Sequence, residues 1–498
     1  MSRIPASIPS TISQQQLETG LAALVKEGVY AQIAGALTSG VLLIGFAMKL
    51  GASNMAVGLL ASVPFLAQLC QLPAIALVER LRARRAISVA GLVASRILLI
   101  PVALLPVLGP GPLSLGLLIG GMALSAALGS IAACSWNSWM RDLIPPSRLG
   151  AFFGHRLFLA TGFATACGLA GGYFVDHGEG AATALGVDPF TVVFLLAAAL
   201  GLVGTLHLSR VPEPPMAAPE RRVPLRAIVR EPFADANFRR LLAFLGTWHF
   251  AVNLVSPFFV VYLVSQLHYD ITVVTTLTVA GQLANLAMLR LWGRLGDRYG
   301  NKAVLSVCAP VFLLCILAWP FAAMPDAARW TMTLLFAIHV VMGMAQAGIN
   351  LSTANFGLKL APHGRATAYL AASSLMTSLA AGIAPIVGGL FADNFATREL
   401  AFAFHWMSGD AVREIVVFKL RHWDFFFVLA FAVGLFALNR LRKIHEDARG
   451  CEKMVVRRLV FEARRSAIAL ASLGFVRVAV VRSSAMLQAR RRRSEDVR

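Results

Sequence analysis

Amide, imidazole and guanidinium groups set inside long apolar runs are the side chains through which this chain can do chemistry. Gln346 and Asn350 lie four residues apart, on one face of a helix, with His339 two turns from Gln346. His249, Asn253 and Gln32 lie in other apolar runs, and Arg96 places a full charge inside a further one. Such groups are costly in an apolar surrounding, so they face a cavity or bond a neighbouring helix. Histidines at 249 and 339 add groups that titrate near neutrality. Glu27, Glu79, Asp176 and Asp297 all fall at the edges of apolar runs. A buried proton-carrying carboxylate is therefore not expected, and Arg96 must bond helix carbonyls and polar groups or meet an anionic solute. No Cys/His spacing reads as a metal site, no glycine-rich loop reads as a nucleotide or cofactor site, and no acid, base and nucleophile cluster suggests an enzyme.

The elements that carry these groups follow from composition. With 57 % hydrophobic and 14 % charged residues over 498 positions, and a mean hydropathy of +0.70, the chain is too apolar and too charge-poor for a soluble protein. Apolar blocks long enough to cross a bilayer recur at 28–48, 55–77, 86–108, 113–138, 157–176, 189–209, 241–265, 271–291, 303–324, 330–357, 366–392 and 423–440. They lack the alternation of barrel strands, so twelve helices are expected. The net charge of +20 is topological and does not point to nucleic acid: most of the 45 Lys and Arg fall in alternate loops and the C-terminal tail, and only six in the opposite loops. The rich side reads as the cytoplasm, with both termini inside. The six cysteines show no disulfide pattern.

The chain also repeats itself. A shift of 217 residues lays Pro145 on Pro362, Arg148 on Arg365, Phe152 on Tyr369, Gly171-Gly172 on Gly388-Gly389 and Asp176 on Asp393; a shift of 218 lays Glu79-Arg80 on Asp297-Arg298. Two parallel six-helix halves result, 1–210 and 241–440, joined by a mixed-charge, proline-rich linker at 211–240 and followed by a basic tail at 441–498. Wound as a helix, 455–470 has one apolar and one arginine face, suited to an anionic lipid leaflet; the other reading is a mobile basic extension.

The loop Gly293-Arg-Leu-Gly-Asp297-Arg298-Tyr-Gly300-Asn-Lys302 resembles the cytoplasmic loop signature of the major facilitator superfamily. Its first-half counterpart, Ile75-Ala-Leu-Val-Glu79-Arg80-Leu-Arg82-Ala-Arg84, keeps the acid and arginine but replaces both glycines, which removes the pattern's support for a tight turn there. The resemblance implies an all-α fold of twelve transmembrane helices, with Asp297 and Arg298, and also Glu79 and Arg80, stabilising the state closed to the cytoplasm; their other reading is ordinary inside-positive charge. Asp142 with Arg148 or Arg141 is a further candidate latch. The resemblance also implies that the first and fourth helices of each half line a midplane cavity. The candidate solute contacts are then Gln32, Thr38, Ser39, Ser125 and Ser130 in the first half. In the second they are Thr247, His249, Asn253, His339, Gln346 and Asn350, with helix-to-helix bonding as the alternative for each.

The function implied is secondary transport of a small organic solute across the inner (plasma) membrane by alternating access. Uniport and proton coupling through a histidine stay open. A transporter-like scaffold, assembly factor or sensor is the other reading, with the basic tail and the outer loop 393–422 as docking surfaces.

Overall fold

The computed structural model describes residues 12–184, 186–216, 232–323, 330–361, 366–408, 411–446 and 457. Twelve helices long and apolar enough to cross a membrane occupy it. In the first half they are α1 (Gln14–Lys49), α2 (Asn54–Leu81), α3 (Arg84–Leu108), α4 (Pro112–Leu143), α5 (Leu149–His177) and α6 (Pro189–Ser209). In the second they are α7 (Ala236–Gln266), α8 (Ile271–Tyr299), α9 (Asn301–Ala322), α10 (Thr331–Leu360), α11 (Ala366–Phe395) and α12 (Trp423–Arg442). Corresponding helices start at 54 and 271, 84 and 301, and 149 and 366, which is the 217-residue period of the sequence. The expected amphipathic tail helix and most of the linker lie outside the described residues.

Side-chain caps set several helix starts. Ser13 and Gln16 form a capping box at α1, Ser53 caps α2, Asp188 caps α6 and Asp235 caps α7. Helix α1 begins fourteen residues before its apolar block and breaks at Thr38-Ser39, where Gly40 takes φ +56°. The sequence reads as one unbroken helix there because hydropathy does not fall at the break.

The loop at 393–422 is also different from a plain loop. Helix α11 runs on to Phe395, and two antiparallel strands follow, β1 (Glu399–Ser408) and β2 (Ala411–Arg421). Runs such as Glu399-Leu-Ala-Phe-Ala-Phe alternate with period two and are rich in aromatic and β-branched residues, a strand signal that a count of charges does not register. This hairpin marks one face of the bundle, called here the hairpin face. The opposite face carries residues 211–216 and Glu446 and is called the linker face.

On the linker face each half is tied by the same device. Glu213, just after α6, accepts from the backbone N–H groups of Arg84 (2.7 Å) and Arg85 (3.2 Å) at the start of α3. Glu446, just after α12, accepts from those of Asn301 (3.0 Å) and Lys302 (2.7 Å) at the start of α9. A carboxylate at a helix N-terminus meets unpaired N–H groups and the positive end of the macrodipole. Arg84 is 0 % exposed and bonds Asp142 and the carbonyls of Ser138 (3.1 Å) and Pro214 (2.7 Å). Asp142 is thus paired within the first half, and Arg148 pairs with Glu18 at 2.6 Å; the structure does not join Asp142 to Arg148.

The first-half turn forms without its glycines. Arg82, which stands where Gly300 stands in the second half, adopts φ +51°, while Gly300 adopts +94°. A left-handed backbone costs a non-glycine residue about 1 kcal/mol. Arg82→Gly is therefore expected to stabilise the purified protein by about 0.5–1 kcal/mol, read as a raised thermal midpoint in detergent. An unchanged or lowered midpoint would show that the Arg82 side chain offsets the strain.

Candidate functional site

A cavity of about 320 Å³ opens between the halves, and it is built around the break in α1. From α1 it is lined by Gln32, Gly35, Ser39 and the first residues after the break, Gly40 to Leu42. From α5 come Thr161, Ala164, Thr165 and Gly168, and from α8 Thr275, Thr278, Val279 and Gln282. The break leaves the start of the second α1 segment without a side-chain cap. Ser39 and Thr278 spend their hydroxyl protons on carbonyls of their own helices, Gly35 at 2.7 Å and Val274 at 2.9 Å. Thr275 is 8 % exposed, and its hydroxyl finds no hydrogen-bond partner among the described residues.

Of the residues singled out in the sequence, Gln32 and Ser39 reach this cavity. The others lie elsewhere. Gln346 donates to Asn350 at 2.6 Å, so the predicted stripe is paired with itself. Asn253 donates to the His249 carbonyl at 2.8 Å, and His339 Nδ1 meets the Leu335 carbonyl at 2.8 Å with its ring against Trp319. The contribution of α5 and α8 was not anticipated. A usable signal existed in Thr161/Thr165 and Thr275/Thr278/Gln282, polar residues at helical spacing in one helix of each half.

The expectation that no carboxylate is buried fails at Glu27, which is 5 % exposed. The α1 helix extends toward the linker face well beyond its apolar block, so a residue placed at the edge by hydropathy lies inside the bundle. Arg156 of α5 bonds Glu27 at 2.7 Å and the Leu24 carbonyl at 3.1 Å, and its guanidinium lies 5.1 Å from the centre of the Trp136 ring. Arg96 lies against Gly201 and within electrostatic reach of Glu27, while its Nε has no hydrogen-bond partner among the described residues. Glu27 precedes Gln32 by five residues and Arg156 precedes Thr161 by five, so this charge cluster lies below the cavity toward the linker face, on the same two helices.

Two carboxylates carry the described hydrogen bonds between the halves. Asp176, at the end of α5, accepts from the backbone N–H of Ile271 (3.2 Å) and Thr272 (2.6 Å) and from the Thr272 hydroxyl, at the start of α8. Asp393, at the end of α11, accepts from the backbone N–H of Asn54 (3.1 Å) and Met55 (2.9 Å) and from the Asn54 amide, at the start of α2. Every member of the first set lies 217 residues from its counterpart in the second. Both latches are on the hairpin face. Beside the second, burial pushes the His422 imidazole below the usual histidine range, against the opposing pull of the Ala392 carbonyl and the Asp393 carboxylate. Close backbone packing supports the same end: a Cβ added at Gly58 of α2 would collide with the Pro385 carbonyl of α11.

The expected gate residues sit at the other end. Asp297, Arg298 and Arg80 are exposed and Glu79 is half-buried, and among the described residues none of them bonds across the halves. Arg298 lies over its neighbour Tyr299, 5.4 Å from the ring centre, while Gly293 packs near Leu351.

A bundle of two six-helix halves, latched at one face and holding a polar cavity between them, defines a membrane carrier of the alternating-access kind. A family profile described as Major Facilitator Superfamily matches residues 28–385 and 249–441, and the chain belongs to that family. It is a secondary transporter. No curated protein matches the sequence. In fold it is similar to the D-xylose–proton symporter (15 % identity, TM-score 0.63, covering 87 % of this chain and 99 % of that one). It is also similar to the nucleoside transporter NupG (14 %, 0.61, 85 % and 98 %). A third is a bacterial homolog of the human lysosomal transporter Spinster, inward-facing and occupied (16 %, 0.58, 77 % and 83 %).

Proposed function

We propose that this transporter carries a small organic solute across the plasma membrane and that its present arrangement is the cytoplasm-facing one. The basic loops and the tail support the linker face as the cytoplasmic one, with both termini inside and the hairpin outside. The observation that carries this reading is the pair of latches through Asp176 and Asp393, which carry the hydrogen bonds between the halves among the described residues and lie at the outer end. The loop acids Asp297 and Glu79, which bond nothing across the halves among the described residues, then act in the opposite state, where each meets a helix N-terminus or an arginine of the other half. Gln32 and Ser39 supply solute contacts; His249, Asn253, His339, Gln346 and Asn350 serve helix packing in this state.

Proton coupling is favoured over simple facilitation by one observation, the buried Glu27–Arg156 pair with Arg96 beside it. Ionised, Glu27 compensates the two arginines; protonated, it releases them. The histidines are less suited, since His339 is committed to its own helix.

Uptake into proteoliposomes, assayed against a solute library with and without a pH gradient, tests the transport reading and its coupling together. Asp297→Asn is expected to slow flux several-fold by favouring the cytoplasm-facing state, since a charge-to-dipole contact is worth about 0.5–1 kcal/mol. Unchanged flux and unchanged side preference would remove Asp297 from the gate.

A further inference from the structure

The chemistry of the cavity names a class of solute, an inference that rests on the transport reading above. Its polar groups come from three helices and include no charged side chain among the lining residues. Gln32, Thr161, Thr165 and Gln282 have no hydrogen-bond partner among the described residues. Thr275 adds a hydroxyl that is buried and, among the described residues, unpaired, a state that native structures avoid unless something else completes it. The uncapped helix start at Gly40–Leu42 adds backbone N–H donors on the same wall. The guanidinium of Arg156, five residues before Thr161 on α5, is committed to Glu27 and the Leu24 carbonyl.

We propose that this cavity binds an uncharged solute of monosaccharide to nucleoside size, bearing several hydroxyl or carbonyl groups, with Thr275 and Gln282 of α8 and Gln32 of α1 as its hydrogen-bonding contacts. Two carboxamides and three threonines can each donate and accept, which matches hydroxyls that also do both. A net charge would be taken from water into a wall with no counter-charge, a cost the site does nothing to offset. The volume is at the small end of ligand cavities.

The placement of Thr275 also links occupancy to the outer latch. Thr272, which donates two bonds to Asp176, is one helical turn before Thr275 on the same face, and Gly172 of α5 lies against Thr275 one turn before Asp176. A solute held by Thr275 thus touches the segment whose end forms the latch.

The test uses the full-length protein in detergent and reads its thermal midpoint. The neutral probes are D-xylose, D-glucose, myo-inositol and uridine; the anions are gluconate and lactate; the cations are choline and putrescine. At least one neutral probe is expected to raise the midpoint in a saturable way. Thr275→Val and Gln282→Leu should each weaken that probe about tenfold or more, while Thr275→Ser should stay within about twofold. Stabilisation by charged probes alone, no stabilisation by any neutral probe, or equal stabilisation of wild type, Thr275→Val and Gln282→Leu would each overturn the proposal. Counterflow in liposomes separates it from the transport reading. A neutral probe that binds through Thr275 without counterflow upholds the cavity's chemistry and refutes transport of that probe. Counterflow of gluconate or choline, with no neutral binding, does the reverse.

Discussion

Replacing both Asp176 and Asp393 by asparagine is expected to shift the protein toward the state open on the hairpin face by about a hundredfold in population. Each carboxylate accepts two backbone N–H bonds at a helix start of the opposite half, one also from Thr272 and the other also from Asn54. An ionised acceptor at a helix N-terminus contributes about 1–2 kcal/mol in a partly buried setting, so the pair supplies about 3 kcal/mol to one side of the equilibrium. Asparagine keeps the oxygen and removes the charge, which isolates the electrostatic part. Both latches bias the same two-state element, so each single variant should give roughly half of the shift in free energy. The measurement is labelling of Thr165→Cys, introduced in a background without the native cysteines, by an impermeant maleimide added from the hairpin side. Reactivity should rise in each single variant and most in the double one, while solute flux falls because one half of the cycle becomes disfavoured. Labelling that stays at the parental level would show that the latches follow closure without holding it.

The twelve helices, the two halves and the loop motif were legible because hydropathy and a 217-residue repeat are properties of sequence alone. That repeat already paired Asp176 with Asp393, and what it could not supply was their partners. Hydrogen bonds to backbone N–H leave no residue-type signature, so the four amides at Asn54, Met55, Ile271 and Thr272 are invisible until the helices are placed. The same holds for Glu213 and Glu446. The cavity was half legible. Gln32 and Ser39 lie on a helix expected to face it, but the second wall comes from α5 and α8, whose threonines look like ordinary lipid-tolerant residues in a linear reading. Conversely, the stripe Gln346 and Asn350 looked like a site because two amides share a face, and the structure shows that a shared face also lets them satisfy each other at 2.6 Å.

Glu27 is where the sequence reading and the structure diverge most, and its neutralisation is the second large effect expected. Glu27→Gln should abolish solute accumulation driven by a pH gradient while leaving counterflow of the same solute in place. The wild type should accumulate about tenfold per pH unit if one proton moves with each solute. The same substitution removes the only described carboxylate beside Arg96 and Arg156, and breaking a buried ion pair from one side costs about 3 kcal/mol, so the thermal midpoint should fall. Arg156→Gln alone should also destabilise, since it leaves the 5 % exposed carboxylate without its main partner. In the double variant Glu27→Gln/Arg156→Gln two carboxamides can bond each other, and most of the stability should return. Coupling should not return with it, because no group at the site then takes up a proton near neutral pH. That contrast between restored folding and lost accumulation distinguishes a proton-carrying role from a structural one. Accumulation that survives in the folded double variant would assign coupling to another group, or to none.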